Sequence, residues 1–138
     1  MNTYENKCFM DTDVFVNAFV DLDETKKENS RRLLEQASTG PIELVTDFLV
    51  LTETFYIIEK YKNTAIAIKI LKELLSLGNL EIVPINHTTY FESLKRVEKY
   101  KLKFNDMVHY TVALLNNVSG VYSYDKHFDG LEIKRIEP

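Results

Sequence analysis

The stretch that decides the fold class is residues 7–19, KCFMDTDVFVNAF. Lys7–Met10 is a short apolar run that predicts a buried strand, and Asp11 ends it. Apolar side chains then recur at helical spacing, at Val14, Phe15, Ala18 and Phe19. A strand that leads within a few residues into a helix is the unit from which parallel α/β sheets are built.

The same alternation continues along the chain. Further strands are predicted at residues 42–45, 80–84, 121–123 and 131–136, and helices at residues 26–38, 48–61, 63–78, 86–101 and from 105 onwards. Thr46 or Asp47 is predicted to cap the helix that starts at Phe48, and Asn105 the helix that carries Asp106 in its first turn. Alternating strands and helices imply right-handed crossovers and a parallel sheet with helices on both faces. No linker or repeat interrupts the pattern, so we predict one α/β domain over residues 1–138, with an edge strand last.

Composition is that of an ordinary globular protein, with 45% hydrophobic and 28% charged residues. The single cysteine, Cys8, excludes an intrachain disulfide and lies in an apolar run, so we expect it to be buried. The N-terminus lacks the apolar core of a signal peptide, and no stretch approaches the roughly 18 uninterrupted apolar residues that span a bilayer. We therefore expect a cytoplasmic protein with no membrane association.

The formal net charge of −4 counts against a protein that coats nucleic acid in general. It does not count against a nuclease, since a site built from carboxylates makes the metal-free protein acidic. Basic residues cluster just upstream of Asp106, at Lys95, Arg96, Lys99, Lys101 and Lys103. This cluster is either a solvated helix face or a ridge that contacts RNA phosphates.

Four acidic residues stand where parallel sheets bind ligands, beyond the carboxyl ends of the strands. Asp11 follows the first strand, and Asp125 follows the fourth. Glu53 lies in the early turns of the helix after the second strand, and Asp106 begins the helix that leads into the fourth. Each has an ordinary explanation as a turn former, a helix-start residue or a surface acid. Together we expect them to converge on one edge of the sheet.

Carboxylates crowded without a counter-ion repel one another, so a divalent cation is predicted to neutralise them. Mg²⁺ and Mn²⁺ prefer such oxygen ligands, and no Cys/His cluster indicates zinc. We expect His87, His109 and His127 to have structural or surface roles. A carboxylate-held ion beside an open face suits phosphodiester hydrolysis, since it lowers the pKa of a water and a second ion steadies the leaving oxygen. No serine triad, P-loop or GxGxxG fingerprint competes.

These motifs resemble the PIN-domain family, and in particular VapC-type toxins of prokaryotic toxin–antitoxin pairs. MDTDVFVNAF resembles the family's first acid motif, with Asp11, and residues 46–53 resemble the second, with Glu53. FNDMVHYTVA resembles the third, with Asp106. VYSYDKHFDGLEIKRIEP resembles the terminal motif, in which Ser123 precedes Asp125. The resemblance spans essentially the whole chain.

The resemblance implies a three-layer α/β/α fold with strand order 3-2-1-4-5. It also implies a Mg²⁺- or Mn²⁺-dependent endoribonuclease, a homodimer and an antitoxin partner, although some PIN domains process RNA without a toxic role. The implied catalytic and metal-binding residues are Asp11, Glu53, Asp106 and Asp125. Asp13 stands where the family usually has Asn, so its role as a ligand or as a neighbour of the ligands, like Ser123, stays open.

A phosphatase of the haloacid-dehalogenase type is the main alternative. Asp11 and Asp13 resemble its DxD pair, Thr46 its hydroxyl residue, and Asp125 with Asp129 its late DxxxD motif. That hypothesis gives the other two acids no function, and the chain is short for the family. A catalytically silent interaction module is a third possibility.

Overall fold

The computed structural model describes residues 7–138 as an alternation of short strands and helices. The strands are β1 (Lys7–Met10), β2 (Glu43–Asp47), β3 (Leu80–Val83), β4 (Gly120–Tyr122) and β5 (Lys134–Ile136). The helices are α1 (Thr12–Phe19), α2 (Glu24–Thr39), α3 (Phe48–Tyr61), α4 (Thr64–Leu75), α5 (His87–Val97) and α6 (Phe104–Leu115). A single 3₁₀ turn, Lys126–Phe128, lies between β4 and β5.

The five strands form one parallel sheet in the order β3-β2-β1-β4-β5. This confirms the α/β fold class and the strand order expected from the resemblance. The chain moves outward from β1 to β3 on one side and then crosses to β4 on the other. Strand order therefore reverses at β1, which is where parallel sheets of this kind form their ligand sites.

The central strands carry the core. Phe9, Met10, Leu44 and Val45 are at most 1% exposed, and Cys8 is buried as expected. Both outer strands are partly exposed, which confirms β5 as an edge strand. Burial of both faces of the central strands requires helices above and below them.

Several predicted boundaries were wrong. Helix α5 ends at Val97 rather than near Lys101, because the chain turns there to bury Leu102 in a small cluster with Met107, Tyr110 and Phe128. Strand β5 begins at Lys134 rather than 131, because Ile133 N–H donates to the Tyr110 hydroxyl and not to the sheet. Helix α2 begins at Glu24, two residues early, because Asp23 caps it.

The predicted cap of α6 was also wrong. Lys103 occupies the N-cap without a side-chain hydrogen bond, and Asn105 lies inside the first turn. The Asn105 amide instead donates to Glu53 Oε2 at 3.3 Å, so it contributes to the acidic edge of the sheet. In contrast, Asp47 caps α3 as predicted, with Val50 N–H donating to its Oδ1 at 2.7 Å. No helix within residues 7–138 has the length and apolar character to span a bilayer.

Candidate active site

The four acids that the sequence singles out all lie at the carboxyl edge of the sheet. Asp11 follows β1 as the N-cap of α1, and Asp125 follows β4 as the N-cap of the 3₁₀ turn. Glu53 lies in the second turn of α3, and Asp106 in the first turn of α6. The charges of Glu53 and Asp125 both act on Asp106, so these side chains share one neighbourhood.

Ser123 organises one half of the site, which we call the serine side (Asp11, Asp13, Ser123, Asp125). Its fully buried hydroxyl donates to Asp11 Oδ2 at 2.8 Å and accepts from Asp125 N–H at 3.0 Å. Thr12 N–H donates to the other oxygen, Asp11 Oδ1, at 2.8 Å. Donors on both oxygens hold the Asp11 carboxylate in one orientation.

The other members of the serine side are held by backbone and side-chain donors. Asp13 Oδ2 accepts from Tyr124 N–H at 3.1 Å and lies 3.4 Å from the Ser123 hydroxyl. Asp125 Oδ1 accepts from His127 N–H at 2.9 Å and lies 2.8 Å from His127 Nδ1. Asp13 is therefore a neighbour of Asp11 in this arrangement and is positioned by the segment that carries Ser123.

His109 organises the opposite half, the histidine side (Asp47, Glu53, His109). Its Nδ1 lies 2.8 Å from Asp47 Oδ2 and its Nε2 lies 2.6 Å from Glu53 Oε1. The imidazole and Asp47 are almost completely buried, with side chains 1% and 0% exposed, whereas Glu53 is 26% exposed. A buried acid and a partly exposed acid are thus joined through one ring.

The sequence predicts a structural or surface role for His109, and the structure buries its ring between Asp47 and Glu53. Burial by itself lowers its pKa, but the hydrogen bonds to Asp47 and Glu53, together with the charge of Asp11, raise the pKa to about 10. The ring is therefore an imidazolium that donates from both nitrogens in the metal-free protein. His87 stacks on Phe91, and His127 is exposed beside Asp125, consistent with surface roles.

Two carboxyl groups of the serine side, those of Asp11 and Asp13, resist ionisation. Burial, helped by the charge of Asp13, raises the pKa of Asp11 to about 7, although His109 and hydrogen bonds from Ser123 and Thr12 oppose the shift. Burial also raises the pKa of Asp13 to about 6. Burial and the charges of nearby acids also raise the pKa of Asp106, while the charges of His109 and Lys103 lower it. A bound cation would relieve this crowding.

One ligand atom from each of Asp11, Asp106 and His109 lies within 4.8 Å of the others. The two carboxylates suit a hard divalent cation, and the Asp106 carboxylate accepts no hydrogen bond from the residues the structure describes, so its oxygens are available. Both ring nitrogens of the third member, His109, lie within hydrogen-bonding distance of carboxylates, Nδ1 of Asp47 and Nε2 of Glu53. The cluster is therefore consistent with a metal site.

A scan against protein families matches residues 8–134 to the PIN domain. The chain belongs to the PIN-domain family. Comparison of the sequence with curated proteins finds no significant match.

Solved structures with the PIN fold superpose on nearly the whole chain. VapC20 of Mycobacterium tuberculosis, a toxin that cleaves the sarcin–ricin loop, has a TM-score of 0.77 at 17% identity and covers 95% of this chain and 99% of its own. A toxin–antitoxin complex from Klebsiella pneumoniae has a TM-score of 0.69 at 17% identity, with coverage of 94% and 96%. VapBC2 of Rickettsia felis, bound to a DNA fragment from its promoter, has a TM-score of 0.67 at 19% identity, with coverage of 94% and 97%. At these identities the likeness shows the fold.

The PIN match favours the nuclease hypothesis over the phosphatase. Two residues that the phosphatase needs are also engaged elsewhere. The Thr46 hydroxyl donates to the Met10 carbonyl at 3.0 Å, and Asp129 pairs with Arg135 at 2.6 Å.

The basic cluster divides into two parts. Lys95 and Arg96 lie on α5 and pair with Glu92 at 3.3 Å and 3.1 Å. Lys99, Lys101 and Lys103 lie beyond the helix and are exposed, and within residues 7–138 they form no ion pair. Because α5 ends at Val97, the five basic residues do not all lie on one helix. Lys103 is the member whose charge acts on Asp106.

Sequence reasoning missed Asp47 and His109 as parts of the site. One signal was present for His109, since it lies three residues after Asp106 and so shares its helix face. Nothing local marked Asp47, whose sequence context indicates only a helix cap.

Proposed function

We propose that this chain is a metal-dependent endoribonuclease that hydrolyses RNA phosphodiester bonds, and that residues 1–138 form one PIN-like domain. The observation that carries the proposal is the cluster of buried and half-buried carboxylates at the reversal point of a PIN-type sheet, with the Asp106 carboxylate unengaged by residues 7–138. Such a cluster destabilises the metal-free protein, which argues that it is built for cations and not for folding.

The proposed ligands for Mg²⁺ or Mn²⁺ are Asp11, Glu53, Asp106 and Asp125. Ser123 orients the first and last of them by donating to Asp11 and accepting from Asp125 N–H. Asp13 adds charge beside them and is held by Tyr124 N–H. When bound, the ion supplies a hydroxide-like nucleophile and charge neutralisation for phosphodiester hydrolysis. Hydrogen bonds from Thr12 N–H and the Ser123 hydroxyl fix the directions of the Asp11 oxygens, and burial shields this acid from water.

The test is cleavage of single-stranded or looped RNA by the purified protein with Mg²⁺ or Mn²⁺ present. We expect cleavage that stops in EDTA and resumes when the ion is restored. The matched control for Asp→Asn variants of the proposed ligands is Asp129→Asn, since Asp129 is a nearby acid paired with Arg135 outside the cluster. Hydrolysis that persists in EDTA would contradict the proposal. So would a loss of cleavage in Asp129→Asn as large as that in the variants of the proposed ligands. Formation of a beryllofluoride adduct at Asp11 would support a phosphatase instead.

We further propose that the chain is the toxin of a toxin–antitoxin pair, acting in the cytoplasm as a homodimer. The fold neighbours include a VapC toxin and two toxin–antitoxin structures. Large apolar side chains are exposed along α3 and α4, at Phe48 (50%), Tyr56 (64%) and Leu75 (57%), and contiguous exposed apolar surface commonly marks protein interfaces.

Expression in a bacterial host tests this role. We expect growth arrest that is relieved when a small protein encoded beside the gene is co-expressed and co-purifies with the chain. Metal-dependent RNA cleavage without growth arrest would instead indicate an RNA-processing PIN nuclease.

A further inference from the structure

The histidine side contains a bridge that the proposed reaction does not by itself require. His109 joins Asp47, through Nδ1 at 2.8 Å, to Glu53, through Nε2 at 2.6 Å. Only Glu53 is among the proposed ligands. From this geometry we infer that His109, anchored by Asp47, is a positioning residue that orients the Glu53 carboxylate for metal binding. The inference rests on the proposed metal-dependent function.

Asp47 is the fixed end of the bridge. Its carboxylate is fully buried at the junction of β2 and α3, and both oxygens are engaged. Oδ1 accepts from Val50 N–H at 2.7 Å, and Oδ2 accepts from His109. Because the α3 N-terminus holds Asp47, the imidazole it anchors has one orientation. The ring also packs against Phe9 of β1, with ring centroids 6.1 Å apart.

Glu53 is the adjustable end of the bridge. It is a long side chain with its carboxylate 26% exposed, so without a partner it has several accessible rotamers. His109 holds Oε1, whereas among residues 7–138 Oε2 has only the longer contact from the Asn105 amide at 3.3 Å. Oε2 is therefore the oxygen that Glu53 has available for a cation. Partners that orient a ligand in this way commonly change metal affinity 10- to 100-fold when removed.

Two variants of His109 separate positioning from packing. The amide nitrogen of Asn falls near the place of imidazole Nδ1, and that of Gln near Nε2, so His109→Asn keeps a donor for Asp47 and His109→Gln keeps one for Glu53. Both remove the same charge. If His109 only satisfies buried hydrogen-bonding groups, His109→Asn should exceed His109→Gln both in stability and in metal affinity, because Asp47 is the more buried partner.

The positioning role predicts opposite orders for two measurements on the full chain. In chemical unfolding without metal, His109→Asn should be the more stable variant. In Mn²⁺ binding, measured by electron paramagnetic resonance of the free ion, His109→Asn should bind about 10- to 100-fold more weakly than wild type, whereas His109→Gln keeps most of the affinity. Equal Mn²⁺ affinities, or affinities that follow the order of stability, would overturn the inference.

Asp11→Asn, in the same Mn²⁺ titration, distinguishes failure of this inference from failure of the proposed function. If Asp11→Asn loses Mn²⁺ while both His109 variants bind like wild type, the metal site stands and the positioning role fails. If Asp11→Asn also binds Mn²⁺ like wild type, the proposed function itself fails.

A measurement on wild type covers the case in which His109→Asn does not fold. The ring N–H groups of His109 are followed by proton–nitrogen correlation spectra during a Mg²⁺ titration. We expect both N–H signals to persist to saturation, and the Nε2 signal to shift in wild type but not in Glu53→Gln. Loss of a ring proton on Mg²⁺ binding would make His109 a ligand and overturn the positioning role.

Discussion

The two halves of the acidic site hold their carboxylates by different means. On the histidine side, a buried imidazolium lies between Asp47 and Glu53 and supplies a positive charge. On the serine side, Asp11 is held by the neutral hydroxyl of Ser123 and by a backbone amide. Neutral donors orient a carboxylate without cancelling its charge, which is why burial leaves Asp11 with a pKa of about 7.

The difference teaches where an external cation is needed. On the histidine side one buried cation offsets one of two carboxylate charges, whereas Asp11 and Asp106 feel this cation only at a distance and keep raised pKa values. A cation near Asp11 and Asp106 should stabilise the folded state most. Burial disfavours the charged forms of these two acids, and a nearby cation favours them. Removing the charge of one side chain should therefore have opposite effects on stability in the two halves.

The largest expected effect is on cleavage by Asp11→Asn and Asp106→Asn. Each removes a proposed ligand charge while nearly preserving shape, so we expect RNA cleavage to fall by orders of magnitude, at about 1.4 kcal/mol for each tenfold loss. Stability without metal should hold or rise, because burial raises the pKa of both acids and the amide removes that penalty. The measurements are cleavage rates and thermal melting with and without Mg²⁺.

Wild type should gain more stability from Mg²⁺ than either variant, since a ligand of the folded state stabilises by mass action. Variants that cleave normally, or that are inactive only because they unfold, would remove the distinction between the two halves and make these aspartates structural.

His109→Ala tests the other half, and its effect on stability should have the opposite sign. It leaves buried Asp47 without its cation, so the free energy of unfolding should fall by about 3–5 kcal/mol, as for other broken buried pairs. Urea unfolding of the metal-free protein measures this. The matched control is His127→Ala, which removes a histidine–aspartate contact of the same 2.8 Å length from a side chain that is 75% exposed. Its loss should be much smaller. Comparable losses would mean that burial does not distinguish these pairs.

The dependence of stability on pH should separate the halves further. The folded-state pKa values of Asp11 and Asp13, about 7 and about 6, exceed their ordinary value of 3.8, so the folded protein holds protons that the unfolded chain releases between about pH 4 and 7. Metal-free stability should therefore rise as the pH falls through this window. His109, raised from 6.5 to about 10, contributes stability that is complete below pH 6.5 and is lost as the pH rises through 10.

Melting temperatures from pH 5 to 10 check both windows, with about 4 °C expected per pH unit for each proton difference. Asp11→Asn should weaken the dependence of the melting temperature on pH below pH 7, and His109→Gln should weaken it above pH 7. Saturating Mg²⁺ should oppose the stabilisation at low pH, because protons compete with the ion. A wild-type curve that is flat from pH 5 to 7 would contradict the assignment of the serine side.

The smallest expected effect concerns positive charge outside the site. Lys101→Ala/Lys103→Ala removes two exposed cations, whereas Lys95→Ala/Arg96→Ala removes two that already pair with Glu92. If the basic residues contact RNA phosphates, the first pair should weaken RNA binding several-fold and reduce the salt slope by about 0.7 per contact. The second pair should change both less. Unchanged slopes in both would return all five basic residues to a solvated surface.

The fold class was predictable from the sequence because its signals are local. The apolar run that precedes Asp11 and the helical spacing after it define a strand and a helix without reference to the rest of the chain. Alternation of such units implies a parallel sheet, and the carboxyl ends of parallel strands share one edge. The positions of Asp11 and Asp125 at that edge follow from this reasoning, while the strand order came from the family resemblance.

Hydrogen-bond partners across the site were decided only by the tertiary structure. His109 meets Asp47 and Glu53 across 62 and 56 residues, and Asn105 leaves its predicted cap position for Glu53. In the sequence, Asp47 is only a helix cap and His109 only a polar residue on an apolar helix. Their pairing depends on how α6 packs against β2 and α3, and side-chain contacts set by packing leave no periodic trace in the chain.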